Sequence, residues 1–182
     1  MPKNRFLAKI LPATLSAAVV GCLGAAPQRP DDIPAPLNVA NDQTLTQQLH
    51  ATGVQIYRCE AAKGDPAQFE WSFKQPEATL ATQTGRNVGK HYGGPTWEAN
   101  DGSKVTGEVI ARANGPAPGA IPWLLLTAKT TSGTGMFGAV KSIQRLHTVG
   151  GVAPAGGCSQ ASAGQELRIA YSADYLFYAA KP

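Results

Sequence analysis

Hydrophobic and polar positions alternate with a period of two along most of this chain, which is the pattern of half-buried strands. In FEWSF, Phe69, Trp71 and Phe73 fall on one face and Glu70 and Ser72 on the other, predicting a strand with an aromatic inner face. Residues 44–51, TLTQQLHA, form a similar run that Gly53 is expected to break. VQIYRC follows, with Val54, Ile56 and Arg58 opposite Gln55, Tyr57 and Cys59. Residues 96–99 and 104–113 predict two strands joined across Asn100-Asp101-Gly102, with Val105, Gly107, Val109 and Ala111 sharing one face. Residues 114–119, NGPAPG, are a loop. Residues 121–128, IPWLLLTA, are apolar at nearly every position, and so short a run predicts a central strand. Strands over 142–149, 165–171 and 175–179 complete the series. Residues 137–147 also fit helical spacing, with Gly150 as a C-cap. The alternation of Ile143, Arg145, His147 and Val149 favours a strand there.

With 20 glycines, 14 prolines and no amphipathic helix of useful length, the expected fold is all-β, an antiparallel β-sandwich or barrel-like single domain. That domain spans residues 37–182, enough chain for a real core. Ahead of it lie two segments of different character. Residues 1–21 carry Lys3, Arg5 and Lys9 and then a short uncharged apolar run. At about eleven residues this run is well below the roughly 20 that span a bilayer, and it fits a secretory signal. Val19-Val20-Gly21-Cys22 resembles a lipobox, which makes Cys22 the expected lipidation site and the membrane a partner through that anchor. Residues 22–36 contain four prolines and no apolar period, and are expected to form an extended tether. The expected address is the cell envelope, as a lipoprotein of the periplasm or outer membrane; simple secretion after a later cut is the alternative.

The charge balance changes once the signal is set aside. The chain holds 16 Lys+Arg and 12 Asp+Glu; without Lys3, Arg5 and Lys9 the basic residues fall to 13 against 12. A nearly neutral mature chain lacks the basic stripe that nucleic acid requires. Beyond Cys22, Cys59 and Cys158 remain, an even pair that in an exported protein predicts one disulfide, with two free thiols as the alternative. The bridge would close a loop of about 100 residues, worth about 4–5 kcal/mol in the chain-entropy model.

Candidate chemistry concentrates in residues 89–107, GKHYGGPTWEANDGSKVTG, where His91, Tyr92, Trp97, Glu98 and Asp101 stand among turn residues. Ligand binding without catalysis would use the aromatic pair Tyr92 and Trp97. The extracytoplasmic hydrolase alternative, acting on a sugar or ester, would set Ser103 near His91 and Asp101, or use Glu98 with Asp101 as a carboxylate pair. A metal would need His91, Glu98 and Asp101 with His147 or His50, at spacings that match no ligand signature, so no metal is expected. Asp101 in Asn-Asp-Gly also has the character of a turn residue, and Glu98 that of a partner for Lys or Arg. Residues 109–165 contain no acid. Arg145 and His147, if they point the same way, make a cationic spot for a carboxylate, a phosphate or an acidic sugar. Gly133, Gly135 and Gly138 match G-x-G-x-x-G, but the ribose-binding acid is missing, so a Gly-rich loop is expected and no cofactor.

GVQIYRC, the aromatic WSF with PEATL after it, GKHYGGPTWEANDGSKVTG, IPWLLLTA, SIQRLHTVGGVAPAGGC and YSADYLFY together resemble a family of exported bacterial and fungal proteins catalogued as domain of unknown function 3455. The resemblance covers about residues 39–178. It implies pairing of Cys59 with Cys158, and it brings no activity, substrate or cofactor; the dehydrogenase label on some members conflicts with the missing acid. The expected function is therefore a non-enzymatic envelope domain, structural or binding a small molecule or glycan. Its candidate ligand-binding residues are His91, Tyr92, Trp97, Glu98, Asp101, Arg145 and His147, and no catalytic residue is assigned.

Overall fold

The computed structural model describes residues 27–182; the expected signal segment and Cys22 lie outside them. Eight antiparallel strands follow one another as neighbours: β1 (Gln43–Ala62), β2 (Asp65–Ala81), β3 (Asn87–Tyr92), β4 (Thr96–Ala99), β5 (Lys104–Ala113), β6 (Trp123–Ser132), β7 (Val140–Gly150) and β8 (Glu166–Ala180). β8 pairs back onto β1 from Gln43↔Ala180 to Arg58↔Glu166, closing the sheet into a barrel. Closure removes the sheet edges that would otherwise stay unpaired. Of the two expected architectures, the barrel is the one formed.

Up-and-down order gives the barrel two ends. One end gathers the turns after β1, β3, β5 and β7; the other gathers the turns after β2, β4 and β6 with both ends of the sheet. The second end is plugged: Asp101 accepts hydrogen bonds from the Ser103 amide (2.8 Å) and hydroxyl (2.6 Å) and from the Met136 amide (2.8 Å). The Ser103 hydroxyl in turn accepts the Phe137 amide, seating a fully buried Phe137 across the opening. The Gly133–Gly138 motif is thus the loop that carries this plug. The first end stays open, and here Cys59 of β1 and Cys158 of the β7–β8 loop are disulfide-bonded, with Cα atoms 5.4 Å apart.

The period of two sorts side chains into two apolar clusters. Leu49, Leu80, Trp97, Leu126, Ile143 and Phe177 belong to the barrel interior. Trp123, Leu125, Leu146, Leu176 and Tyr178 point outward and are covered by Leu37 and Val39, with Ile33 packed against them. This explains why IPWLLLTA is apolar on both faces: Leu124 and Leu126 look in, Trp123 and Leu125 look out under the N-terminal strap. The end of the expected tether therefore lies on the barrel wall, because Ile33 and the short 3₁₀ turn Ala35–Leu37 bury apolar surface there.

Three local expectations are corrected by irregularities in the sheet. Gly53 does not break β1; a Cβ there would collide with the Glu77 carbonyl and Ala78 backbone, so glycine permits a close strand approach. A register shift between Val109 and Ala111 moves Ala111 to the outer cluster, away from Val105, Gly107 and Val109. Phe69, Trp71 and Phe73 are not an inner core face. They sit on the part of the β1–β2 hairpin near the open end, where Phe73 is 55% exposed and the Trp71 indole donates to the Gly156 carbonyl at 3.0 Å.

Candidate functional site

Inside the open end lies a cavity of about 500 Å³. Its floor is the pair His91 and Trp97, whose rings stack at 4.5 Å and 14°. β3 and β4 place them opposite one another (His91↔Trp97), and both face inward. Val109, Leu124 and Leu126 form an apolar wall, while Phe73 and Pro95 stand at the mouth with the exposed cations Lys74 and Arg112.

Polar groups enter this apolar space from three strands. Gln55 (β1), Arg145 (β7) and Tyr175 (β8) line it, and Tyr171 lies one inward position from Ala173 and two from Tyr175 along β8. The Gln55 side-chain amide nitrogen, the Trp97 indole nitrogen and the Tyr171 and Tyr175 hydroxyls are buried without a completed hydrogen bond. Tyr171 faces Tyr175 and Gln55, and Tyr175 faces Arg145, in contacts looser than a full hydrogen bond. Burial pushes both tyrosines above the usual phenol range, so they stay protonated donors. Burial also pulls His91 down to about 3, against a weaker opposing pull from the Thr96 carbonyl, so the ring is neutral. Its Nδ1 lies 2.9 Å from that carbonyl oxygen. A carbonyl can only accept, so Nδ1 carries the hydrogen and Nε2 is left as an acceptor.

Arg145 is the cation of this interior. Its Nε and one Nη donate to the Pro122 carbonyl at 3.1 and 2.9 Å. Among the described residues no carboxylate pairs with it.

The seven sequence candidates do not converge. His91, Trp97 and Arg145 line the cavity. Tyr92 and Glu98 sit on the outer face of β3–β4, where the Tyr92 hydroxyl donates to Glu98 at 2.7 Å and Lys104 and Lys90 approach it at 3.2 and 3.5 Å. The Tyr92 hydroxyl first, then Lys104, hold the Glu98 carboxyl below its usual range. Asp101 is in the plug at the opposite end. His147 does not point the same way as Arg145, which corrects the expected cationic spot. Between Leu146 and Val149 the β7–β8 register shifts, His147 takes φ 49°, and its ring turns outward. There Nδ1 meets Asp174 at 2.9 Å and Nε2 meets Asp32 of the strap at 3.2 Å. Burial opposes protonation, but the Asp174 and Asp32 carboxylates outweigh it and hold His147 above the usual imidazole range.

Ser103 is likewise engaged in the plug and is no partner for His91, whose hydrogen bond goes to Thr96 alone among the described residues. No group of three or more His, Cys, Asp or Glu side chains arranged to hold a metal occurs among the described residues. Gln55, Tyr171 and Tyr175 were not singled out by the sequence reading. Their signal is a polar tip at an inward position of an otherwise small or apolar face: Ala51, Gly53, Gln55 on β1, and Tyr171, Ala173, Tyr175 on β8.

A family model described as "Protein of unknown function (DUF3455)" matches residues 40–179. No curated protein and no solved structure matches the chain.

Proposed function

The chain belongs to the DUF3455 family, and from that premise we propose that it is a small-molecule-binding barrel that holds its ligand, without chemical turnover, in the cavity above His91 and Trp97. One observation carries the reading: buried polar atoms of Gln55, Trp97 and Tyr175, three residues that line a cavity of about 500 Å³, have no completed hydrogen bond. An orphaned buried polar group costs about 1–3 kcal/mol, and three in one place are a standing debt that a bound molecule would discharge. An apolar cavity with a few convergent polar groups is the usual form of such a site. The hydrolase alternative receives no support from the geometry, since it needs a carboxylate and a nucleophile beside His91.

In this reading the barrel works outside the cytoplasm, held to a membrane by a lipid on Cys22. The positive start, the short apolar run and the Cys59–Cys158 bridge support that placement. The mass of the mature N-terminus checks it: a chain beginning beyond Cys22 removes the anchor.

Binding is tested by titrating the purified protein with 1-anilinonaphthalene-8-sulfonate while following probe fluorescence. The expected result is one saturable site per chain, lost in Val109→Trp, which fills the cavity. Undiminished binding in that variant would place the probe elsewhere and remove the reading.

A further inference from the structure

The proposal above leaves the chemistry of the ligand open, and the interior of the barrel narrows it. We infer that the cavity selects a monoanionic carboxylate carried on a flat apolar body, with the carboxylate seated on Arg145 and the body against Val109 and Phe73 at the Trp97 end of the cavity. This rests on the binding reading and adds the class of ligand to it.

The first argument is the state of the guanidinium. Arginine has five N–H donors in a fixed planar fork. Two of them are spent on the single Pro122 carbonyl, which fixes the plane of the group at the mouth. The other three make no full hydrogen bond among the described residues, the Tyr175 hydroxyl being their loose neighbour, although the side chain is half-buried within the barrel. A planar donor pair of this kind matches the two oxygens of a carboxylate. Withdrawing a cation from water without a counter-charge is costly. The chain itself could have supplied one and does not: no Asp or Glu lies between Glu108 and Glu166, and the Asp174 carboxylate on the outer face of β8 is held by His147 and His50.

The second argument is the net charge. Among the described residues Arg145 is the one cation that reaches inside the barrel. His91 is neutral, because burial lowers it to about 3. Lys74 is paired with Glu166, and Arg112 is solvent-exposed at the rim. The enclosed charge balances a monoanion, and a second negative charge would meet only the water-screened Arg112 at the mouth. The Tyr175 hydroxyl and the Gln55 amide, both buried and unpartnered, add neutral donors of the sort a carboxylate's remaining lone pairs accept.

The third argument concerns the body. Trp97 is 1% exposed and stacked on His91, while Leu124 and Leu126 stand beside it. An aromatic floor with aliphatic walls favours a flat apolar group over a sugar, whose hydroxyls would meet too few partners on that side.

The test is calorimetric titration of the full chain with three matched probes: 2-naphthoate, its neutral amide 2-naphthamide, and 2-naphthyl phosphate. The naphthoate is expected to bind at least about 30-fold more tightly than the amide, since charge-assisted bonds are lost with the charge. It should also exceed the phosphate. The preference should collapse to within about threefold in Arg145→Gln. The wild-type comparison stands without the variant, should Arg145→Gln fold poorly. Equal affinity for naphthoate and amide overturns the carboxylate assignment while leaving a binding cavity. Tighter phosphate binding also overturns it, in favour of a dianion. Should none of the three bind while the fluorescent probe still does, this assignment falls and the binding reading stands; should that probe fail as well, both fall.

Discussion

The inner and outer faces of β7 and β8 carry similar side chains and treat them in opposite ways. Outside, His147 lies between Asp174 and Asp32, His50 shares Asp174, the Tyr178 hydroxyl donates to Gln144, and Gln144 donates to the Leu37 carbonyl. Those groups are answered by other parts of the same chain; in the outer cluster it is the Trp123 indole nitrogen, edge-on to His147, that stays without a partner. Inside, Arg145 has no carboxylate and Tyr171 and Tyr175 end without a bond. The outer constellation is therefore structural, locking the strap to the wall. The inner one is incomplete by itself, and incompleteness of buried polar groups is the mark of a site. Looking only for clusters of capable residues would have selected the outer face, which has more histidine and carboxylate and no cavity beside them.

That contrast can be broken or sharpened by measurement. The largest effect is expected from truncating one anchor in each cluster. Trp97→Ala should cost about 3–5 kcal/mol and Leu37→Ala about 2–3 kcal/mol in urea unfolding. Only the first should abolish probe binding; loss of binding in both would couple strap and cavity. The next effect is acid sensitivity. His91 has a folded value near 3 against 6.5 for the free side chain, so below about pH 6.5 the unfolded chain takes up a proton that the native state refuses. Stability should therefore fall with pH, by roughly 3 kcal/mol at pH 4 at about 1.4 kcal/mol per unit. His91→Phe should flatten this acid limb, and an unchanged limb would mean that His91 is not the buried neutral group. The smallest effect has the opposite sign. His147 is raised, so its contribution is complete below about pH 6.5 and is lost as pH rises through the higher folded value. Being partly exposed, the pair should contribute less than about 1 kcal/mol. His147→Gln should remove that slope; a slope that persists would mean that His147 is not its source.

The strands were legible because period-two patterning reports burial directly: FEWSF and SIQRLHTV each lie within a strand, and IPWLLLTA enters one at Trp123. What the pattern could not show is where it is interrupted. One added residue at a β-bulge inverts every later side chain, and nothing in the local residue types announced those at Val109–Ala111 or Leu146–Val149. The fate of the site followed from this. His147 was read two positions after Arg145 as a neighbour on the same face, and the bulge sent it through the wall. Asp101 was legible as a turn residue because Asn-Asp-Gly chemistry is local. The cavity was not, because Gln55, Arg145 and Tyr175 meet only when β8 closes on β1, a contact between opposite ends of the sheet.

β8 places a different constraint on how this chain can change. Its odd positions Tyr171, Tyr175 and Phe177 serve the interior, and its even positions Asp174, Leu176 and Tyr178 serve the strap. Deleting or inserting a single residue in it would exchange the two sets at once. Asp174 would go into the cavity beside Arg145, and Tyr175 would face the strap. Substitutions in this strand can be accommodated one at a time, whereas a change of length cannot. In related chains, gaps should therefore collect in the β7–β8 loop and be missing from the strand that follows it.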